Sequence, residues 1–170
     1  MGNVLGFRSS LSAGLARISY RQLDYWASTG VVRPSLLQSA GPGSARIYSY
    51  DDVLRLRVVA CLVDGRLLSL ATVEQAIANL GRYLSDEDDL TAASLVLHRG
   101  GPMGVAHSDR ELLDWLHSSE RVVHVVRLGP LRAALDAAIN AAIERNHPGI
   151  VSVPETLSPG YQEQALPYAG

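Results

Sequence analysis

The sequence contains very little cysteine and no long apolar segment. Cys61 is the single cysteine in 170 residues, which excludes an internal disulfide bond and a zinc finger built on cysteine pairs. No apolar run approaches the roughly 20 residues that a membrane-spanning helix requires. The first eight residues lack the basic segment followed by an apolar segment that marks a secretory signal. We therefore expect a cytoplasmic protein with no membrane partner.

Signatures of common enzyme classes are also missing. The chain has no GxGxxG or P-loop sequence for binding phosphates, no GxSxG nucleophile elbow and no HExxH zinc site. Its five histidines all lie beyond residue 97 and show no recognised spacing of metal ligands. We therefore expect a protein that is not an enzyme and that holds no metal and no cofactor.

The sequence does contain enough apolar residues for a core, and its charge is unevenly distributed. Hydrophobic residues make up 47% and charged residues 19% of the chain, which is typical of a folded protein. The net charge is −2, but residues 1–66 carry a net charge of +4 and residues 67–170 carry −6. This asymmetry favours a nucleic-acid-binding head followed by a regulatory or assembly body, and it is also compatible with a dipolar protein of another kind.

The basic first part has the pattern of two short helices joined by a tight turn. A helix is predicted over 9–17, and Ser19 is the expected N-cap of a second helix over 20–28. Gly30 is expected to end this second helix. The polar side chains of the second helix lie on a face separate from its apolar face, and they are Arg21, Gln22 and Tyr25.

A hairpin and two further helices are predicted to follow. Two β-type runs, 31–37 and 46–48, flank a Gly-Pro-Gly-Ser tip that indicates a hairpin with an open loop. Residues 49–52 have the pattern of a capping box, which predicts a third helix from about 51 to 64. A narrow apolar stripe after Ser69 predicts a fourth helix.

These elements together have the pattern of a winged helix-turn-helix. A helix that shows arginine, glutamine and tyrosine on one face can enter the major groove of DNA, which is about 12 Å wide, and meet base edges. A hairpin tip rich in glycine and serine can follow phosphates. Three-helix cores with hairpins also serve as protein-binding modules, so the pattern leaves both functions open.

The pattern changes after residue 84. Acidic residues at 85–89 form a predicted linker, and four prolines and three glycines among residues 146–170 predict a flexible tail. We therefore expect a mainly α fold with small β: a winged helix-turn-helix head over 7–84 and a small α+β C-terminal module over 90–145. The elements predicted in this module are strands at 93–98, 103–106 and 120–128 and helices at 109–118, opened by a capping box at 108–111, and 131–145.

Three segments resemble the DNA-binding head of MerR-family transcriptional regulators. They are ISYRQLDYWA at 18–27, TGVVRP at 29–34 and GSARIYSYDDV at 43–53. More narrowly, the YRQLDYWA sequence is similar to the recognition segment of an actinobacterial branch of this family. The resemblance extends over about residues 7–84, and residues 90–145 more faintly resemble the C-terminal module of the same branch.

The resemblance implies a function and a set of DNA contacts. Members of the family bind palindromic promoter or operator DNA as homodimers and distort it, so that RNA polymerase engages both promoter elements. Arg21 and Tyr25 would lie in the groove, and Arg46 and Tyr48 would contact DNA from the wing. The full set of expected DNA-binding residues is Ser19, Tyr20, Arg21, Gln22, Tyr25, Ser44, Arg46 and Tyr48.

Two features depart from the family pattern. Asp24 stands where many members have a basic residue, and we expect it to pair with Arg21, three residues earlier. The stripe over 70–84 is too short for the long coiled-coil helix of the family, so we expect dimerisation through residues 90–145.

Two other functions remain open from the sequence. An architectural DNA-binding protein of excisionase type would share this head without activating transcription by itself. An antitoxin-like protein-interaction module would use the same elements to bind a protein and would have no affinity for DNA.

Overall fold

The computed structural model of the chain describes residues 2–38, 45–64, 72–73, 92–98, 103–118 and 122–157. Within these ranges the chain forms five α-helices and six β-strands, and the strands make two antiparallel sheets of three. The contacts divide the chain into two units, one built from residues 1–56 and 138–170 and the other from residues 57–137. None of the helices in the described ranges is long and apolar enough to cross a membrane.

Eleven helices and strands follow one another along the described chain. In chain order they are β1 (Asn3–Arg8), α1 (Ser9–Ala16), α2 (Tyr20–Thr29), β2 (Ile47–Tyr48), α3 (Tyr50–Asp64), β3 (Ser94–His98), β4 (Gly104–Ala106), α4 (Asp109–Ser118), β5 (Val122–Arg127), α5 (Leu128–Glu144) and β6 (Ile150–Pro154), followed by a short 3-10 helix (Glu155–Leu157).

The predicted helix-turn-helix is present in the first unit. Helix α1 ends because Arg17 takes the left-handed conformation, with φ 59°, so that two amides of the turn donate hydrogen bonds back to carbonyls of α1. Helix α2 begins three residues later, and Gly30 ends it with φ 84°. Each helix agrees with its predicted bounds to within one residue at either end.

The core of the first unit is built from one apolar face of each helix. Leu23 and Trp26 of α2 are 1% and 3% exposed, as their spacing of three residues on one face predicts. They anchor α2 and leave its opposite face in solvent. The other large buried residues described in this unit are Phe7, Leu11, Leu15, Val31, Val32, Leu36, Ile47, Tyr48, Val53, Leu54, Leu56, Ile139 and Val153.

A sheet that the sequence did not predict completes the first unit. Strand β1 lies in its centre, with β2 on one side and β6 on the other. Strand β6 pairs with β1 along its whole length, from Pro154 opposite Asn3 to Ile150 opposite Phe7. The N-terminal and C-terminal parts of the described chain therefore fold together in one unit.

The flexible tail predicted for residues 146–170 is wrong where β6 forms. Val153 is 7% exposed and packs in an apolar cluster with Leu36 and Ile47. The prediction relied on the proline content of this segment. Pro154, however, lies at the end of an edge strand, where a sheet tolerates proline. Residues 158–170 of that predicted tail lie outside the described ranges.

The predicted hairpin is seen only at its base. The backbones of Leu37 and Ile47 exchange two hydrogen bonds of 3.1 and 3.0 Å. The residues before Leu37 are not a strand, because Pro34 has no amide to donate and the amide of Ser35 donates to a carboxylate. The hairpin tip, including Ser44, lies outside the described residues.

Helix α3 begins with the capping box that the sequence predicts. The hydroxyl of Ser49 accepts a hydrogen bond from the amide of Asp52 at 3.1 Å, and the carboxylate of Asp52 accepts one from the amide of Ser49 at 2.9 Å. The same carboxylate oxygen accepts hydrogen bonds from the amide and the hydroxyl of Ser35, both at 2.7 Å. Asp52 is 1% exposed, so a buried carboxylate ties the segment after α2 to the start of α3.

The second unit has its own sheet, with the strands in the order β4-β3-β5. The element order strand-strand-helix-strand-helix agrees with the prediction for this region. Helix α4 begins with a variant of the predicted capping box: Ser108 accepts from the amide of Glu111 at 3.2 Å, while the carboxylate of Glu111 accepts from the amide of His107 at 2.8 Å. The core of the sheet lies at Leu95 and Val96, which are both fully buried.

The two units do not coincide with the predicted segments 7–84 and 90–145. Residues 138–157 fall in the first unit because β6 pairs with β1. This pairing joins segments far apart in the chain, so the spacing of residues along the sequence does not predict it. The predicted fourth helix and the acidic linker at 85–89 lie outside the described ranges, apart from Thr72 and Val73.

We expect Asp52→Ala to lower the free energy of unfolding by about 2–3 kcal/mol, because it leaves the amide of Ser35 without its acceptor and opens the cap of α3. Urea unfolding followed by circular dichroism measures this loss. Asp51→Ala changes the exposed neighbouring acid in the same helical turn and should cost only about 0.5 kcal/mol. Equal losses in the two variants would contradict a special role for Asp52.

We expect Val153→Asp to destabilise the first unit by about 3 kcal/mol, because it places an unpaired charge in the cluster with Leu36 and Ile47. Ser152→Asp introduces the same charge at the adjacent exposed position of β6 and should change stability by less than about 0.5 kcal/mol. Urea unfolding of both variants tests the role of β6. A harmless Val153→Asp would show that β6 does not contribute to this unit.

Candidate nucleic-acid interface

Two of the predicted contact residues form the cap of α2. The hydroxyl of Ser19 accepts a hydrogen bond from the amide of Gln22 at 3.2 Å. The side-chain oxygen of Gln22 accepts hydrogen bonds from the amide and the hydroxyl of Ser19, both at 2.9 Å. This complete capping box satisfies backbone amides that the first helical turn would otherwise leave unpaired. Ser19 and Gln22 therefore determine where α2 begins and how its exposed face is presented.

The exposed face of α2 carries two phenols and a guanidinium group. Tyr20 and Tyr25 are 58% and 51% exposed, and Arg21 between them is also exposed. Leu23 and Trp26 fix the opposite face of the helix in the core. Because its buried face stays in the core, α2 can present these exposed groups to a ligand without any rearrangement of the core.

The structure pairs Asp24 with Arg46. Nη1 of Arg46 donates to Oδ1 of Asp24 at 2.6 Å, and the two side chains are 25% and 55% exposed. The pairing with Arg21 that the sequence predicts is wrong, because β2 brings Arg46 next to α2. The hydrogen bond to Asp24 raises the pKa of the Arg46 guanidinium above its ordinary value. Exposed ion pairs of this kind contribute only about 0.2–1 kcal/mol to stability.

Tyr48 lies in the core of the first unit, which corrects the prediction that it contacts DNA from the wing. Its side chain is fully buried, and among the described residues its hydroxyl makes no well-aligned hydrogen bond, although the guanidinium of Arg46 lies near it. Ile47 packs against Leu36 and Val153 on one face of β2, and the adjacent Tyr48 is buried on the opposite face, so neither face of this strand is open to a ligand. Burial raises the pKa of Tyr48 to about 12, although the nearby charge of Arg46 acts in the opposite direction.

An open groove of about 240 Å³ lies beside the C-terminal half of α2. Of the expected contact residues that the structure describes, only Arg46 lines it. Arg33 and Gln38 also line it, and sequence reasoning missed both as candidate site residues. The signal for Arg33 was its place directly before Pro34, which favours an extended backbone outside the helix. Its described lining consists of Ala27, Ser28, Arg33, Pro34, Gln38 and Arg46.

The described residues contain no group of three or more His, Cys, Asp or Glu side chains that could hold a metal ion. The interface built from α2, Arg33 and Arg46 presents guanidinium groups, phenols and amides, together with the carboxylate of Asp24 that pairs with Arg46. The guanidinium groups carry positive charge, and they donate hydrogen bonds as the phenols and amides do, so they suit an anionic ligand with acceptor groups.

Comparison with known proteins agrees with this chemistry. Residues 7–80 match the family model of the MerR HTH family regulatory proteins. The chain is 35% identical over 130 residues to an uncharacterised HTH-type transcriptional regulator of Mycobacterium bovis and to proteins of the same description in two strains of Mycobacterium tuberculosis. The matched region covers 76% of this chain and 56% of each relative. The chain thus spans about half the length of the curated relatives it matches.

We expect the stability of the protein to fall between about pH 10 and pH 12, and Tyr48→Phe to remove part of this fall. The pKa of Tyr48 is about 12 in the folded protein and about 10 in an unfolded chain. As the pH rises above 10, the unfolded state loses this proton first, so unfolding becomes more favourable.

Urea unfolding of the wild-type protein and of Tyr48→Phe over this pH range measures the effect. At neutral pH the substitution should change the free energy of unfolding by less than about 1 kcal/mol, because the buried hydroxyl makes no well-aligned hydrogen bond among the described residues. Tyr25→Phe changes an exposed phenol and should keep the wild-type decline. An unchanged decline in Tyr48→Phe would show that the buried phenol is not its source.

Proposed function

Residues 7–80 form a helix-turn-helix domain of the MerR family, and from this premise we propose that the chain is a sequence-specific DNA-binding regulator of transcription. The observation that carries the proposal is the exposed face of α2. Tyr20, Arg21 and Tyr25 project from a helix whose other face is anchored by Leu23 and Trp26. The major groove of B-DNA admits one α-helix, so this face can meet base edges.

The proposed contacts fall into two kinds. Arg21 would donate two hydrogen bonds to a guanine, the commonest specific contact of arginine, while Tyr20 and Tyr25 would contact neighbouring bases or the backbone. Arg46, and Ser44 on a wing, would contact phosphates and hold the orientation of the head. Ser19 and Gln22 would act mainly by fixing the first turn of α2, because their side chains are engaged with each other.

We extend this proposal to the assembly on DNA. Two copies of the chain would bind a palindromic promoter site, distort it and let RNA polymerase engage both promoter elements, with phosphate contacts from both copies offsetting the energy of the distortion. Dimerisation is assigned to residues 90–145. The exposed Leu113 and Leu116 of α4, 53% and 44% exposed, support an association surface there. The site of action would be the cytoplasm, at the nucleoid.

The test begins with selection of binding sites from random duplex DNA by the wild-type protein. Arg21→Ala should then lose about 1–3 kcal/mol of discrimination at one or two base pairs of the selected site, because a bidentate contact is removed. Fluorescence anisotropy with a set of single-base variants measures this loss.

Arg8→Ala removes the same charge from an exposed position outside the proposed contacts and should leave discrimination unchanged. An equal loss of affinity for every sequence would contradict base recognition by Arg21. Absence of any binding to duplex DNA at low ionic strength would refute the proposed function as a whole.

A further inference from the structure

We propose that the groove beside α2 binds one backbone phosphate of the DNA between Arg33 and Arg46, and that Asp24 is the internal anion that this phosphate displaces from Arg46. The inference rests on the proposed function, since it names the phosphate chemistry of that same interface. It adds a role for two residues, Arg33 and Asp24, that neither the motif nor the family match assigns.

The first observation is the state of Arg46 without DNA. Its guanidinium donates to Asp24 at 2.6 Å, and both side chains remain partly exposed. An exposed ion pair is weak because water solvates both partners and salt screens them. A phosphate oxygen offers Arg46 the same charge-assisted hydrogen bond that the carboxylate now accepts. Exchange of one anion for the other is therefore possible with little loss of bonding energy.

The second observation is the position of Arg33. A Cβ atom placed on Gly30 would lie 3.1 Å from Nη2 and 3.3 Å from Nε of Arg33, so the guanidinium lies across the glycine that ends α2. No carboxylate lies within ion-pair distance of Arg33 in the described part of the chain. Arg33 and Arg46 line the same groove, so the groove carries two positive charges, of which only that of Arg46 is paired with a carboxylate.

The remaining polar groups of the groove suit an acceptor ligand. The amide of Gln38 is exposed and can donate a hydrogen bond. The hydroxyl of Ser28 already donates to the carbonyl of Tyr25 at 2.9 Å, so it is not a free donor. Within the described lining, the side chains that can donate to a ligand are Arg33, Arg46 and Gln38, and they match the acceptor oxygens of a phosphate.

The occupant is assigned to DNA because the groove adjoins α2. Ala27 and Ser28 of α2 form part of its lining, and Tyr25 precedes them on the exposed face. Phosphates border the major groove on both sides, so a helix inserted there has phosphates along its flank. In the free protein the carboxylate of Asp24 is hydrogen-bonded to the guanidinium of Arg46 and so opposes the binding of a phosphate there. We infer that Asp24 lowers affinity for DNA of any sequence.

The central experiment is a double-mutant cycle of Asp24→Asn and Arg46→Ala, with dissociation constants measured at several salt concentrations for a selected site and for an unrelated duplex. Asp24→Asn should bind both duplexes about threefold to tenfold more tightly. Arg46→Ala should bind both more weakly and lower the salt slope by about one.

The double variant separates competition from simple repulsion. If Asp24 acts by occupying Arg46, then Asp24→Asn should change affinity by less than about twofold once Arg46 is alanine. A gain of the same size in both backgrounds would mean that Asp24 only repels phosphate through space, and the displacement would be wrong. No gain from Asp24→Asn in a protein that binds DNA would overturn this inference and leave the proposed function intact.

Arg33→Ala tests the second half of the site. It should weaken binding to both duplexes alike and lower the salt slope by about one, while Arg33→Lys should retain the slope and lose part of the affinity. Unchanged binding by Arg33→Ala would refute its place in the site. Thermal unfolding of each variant shows whether the fold is kept, and Arg33→Lys replaces Arg33→Ala if the latter unfolds.

The chain offers a control for net charge in its first unit. Glu155 is an exposed carboxylate outside the proposed interface and outside residues 90–145, so Glu155→Gln makes the same change of charge as Asp24→Asn. It should leave DNA affinity unchanged, and an equal gain would show that net charge alone explains the effect. Titration with inorganic phosphate is the last arm: if Asp24→Asn and Arg33→Ala change phosphate binding but not DNA binding, the groove serves a free anion and the inference is wrong.

Discussion

The first unit depends on the antiparallel pairing of β1 with a strand on each side. β1 runs directly into α1, so the sheet holds the helix-turn-helix at its N-terminal end. On one side, β2 carries Tyr48 into the core and leaves Arg46 beside α2. On the other side, β6 closes the apolar cluster with Val153, and the amide of Arg8 continues the hydrogen bonding to the carbonyl of Gly149 at 2.8 Å. The geometry of the interface therefore follows from backbone pairing between distant parts of the chain.

The side chains of α2 divide into three groups with different physical tasks. Buried residues anchor the helix, the pair Ser19 and Gln22 fixes its first turn, and the exposed tyrosines and Arg21 remain for contact. A recognition segment contains all three kinds of residue in one short stretch. Sequence spacing assigns residues to faces, but it does not tell a capping side chain from a contacting one, because both lie in solvent.

Asp24 is an acidic residue on the helix that we propose enters DNA, and an arginine of a neighbouring segment accommodates its charge. Its charge is balanced by Arg46 from a neighbouring strand, so the free head keeps a satisfied guanidinium group. In the proposed exchange, the phosphate must compete with this carboxylate. Competition of this kind weakens the contacts to phosphates, which are the same for every DNA sequence. Specificity comes from the additional contacts to bases. Salt would weaken both the internal pair and the phosphate contact, because both are exposed.

The sequence by itself determined the local features of this protein: the bounds of α1 and α2, the capping box at Ser49 and Asp52, the order of elements in the second unit, and the resemblance to the MerR family. These features depend on interactions between residues that are close in the chain, and such interactions require particular residue types at regular spacings in the sequence. Only the tertiary structure decided that residues 150–154 join the first sheet, that Tyr48 is buried and that Asp24 pairs with Arg46. Each of these arises from contacts between segments far apart in the chain, which local spacing does not encode.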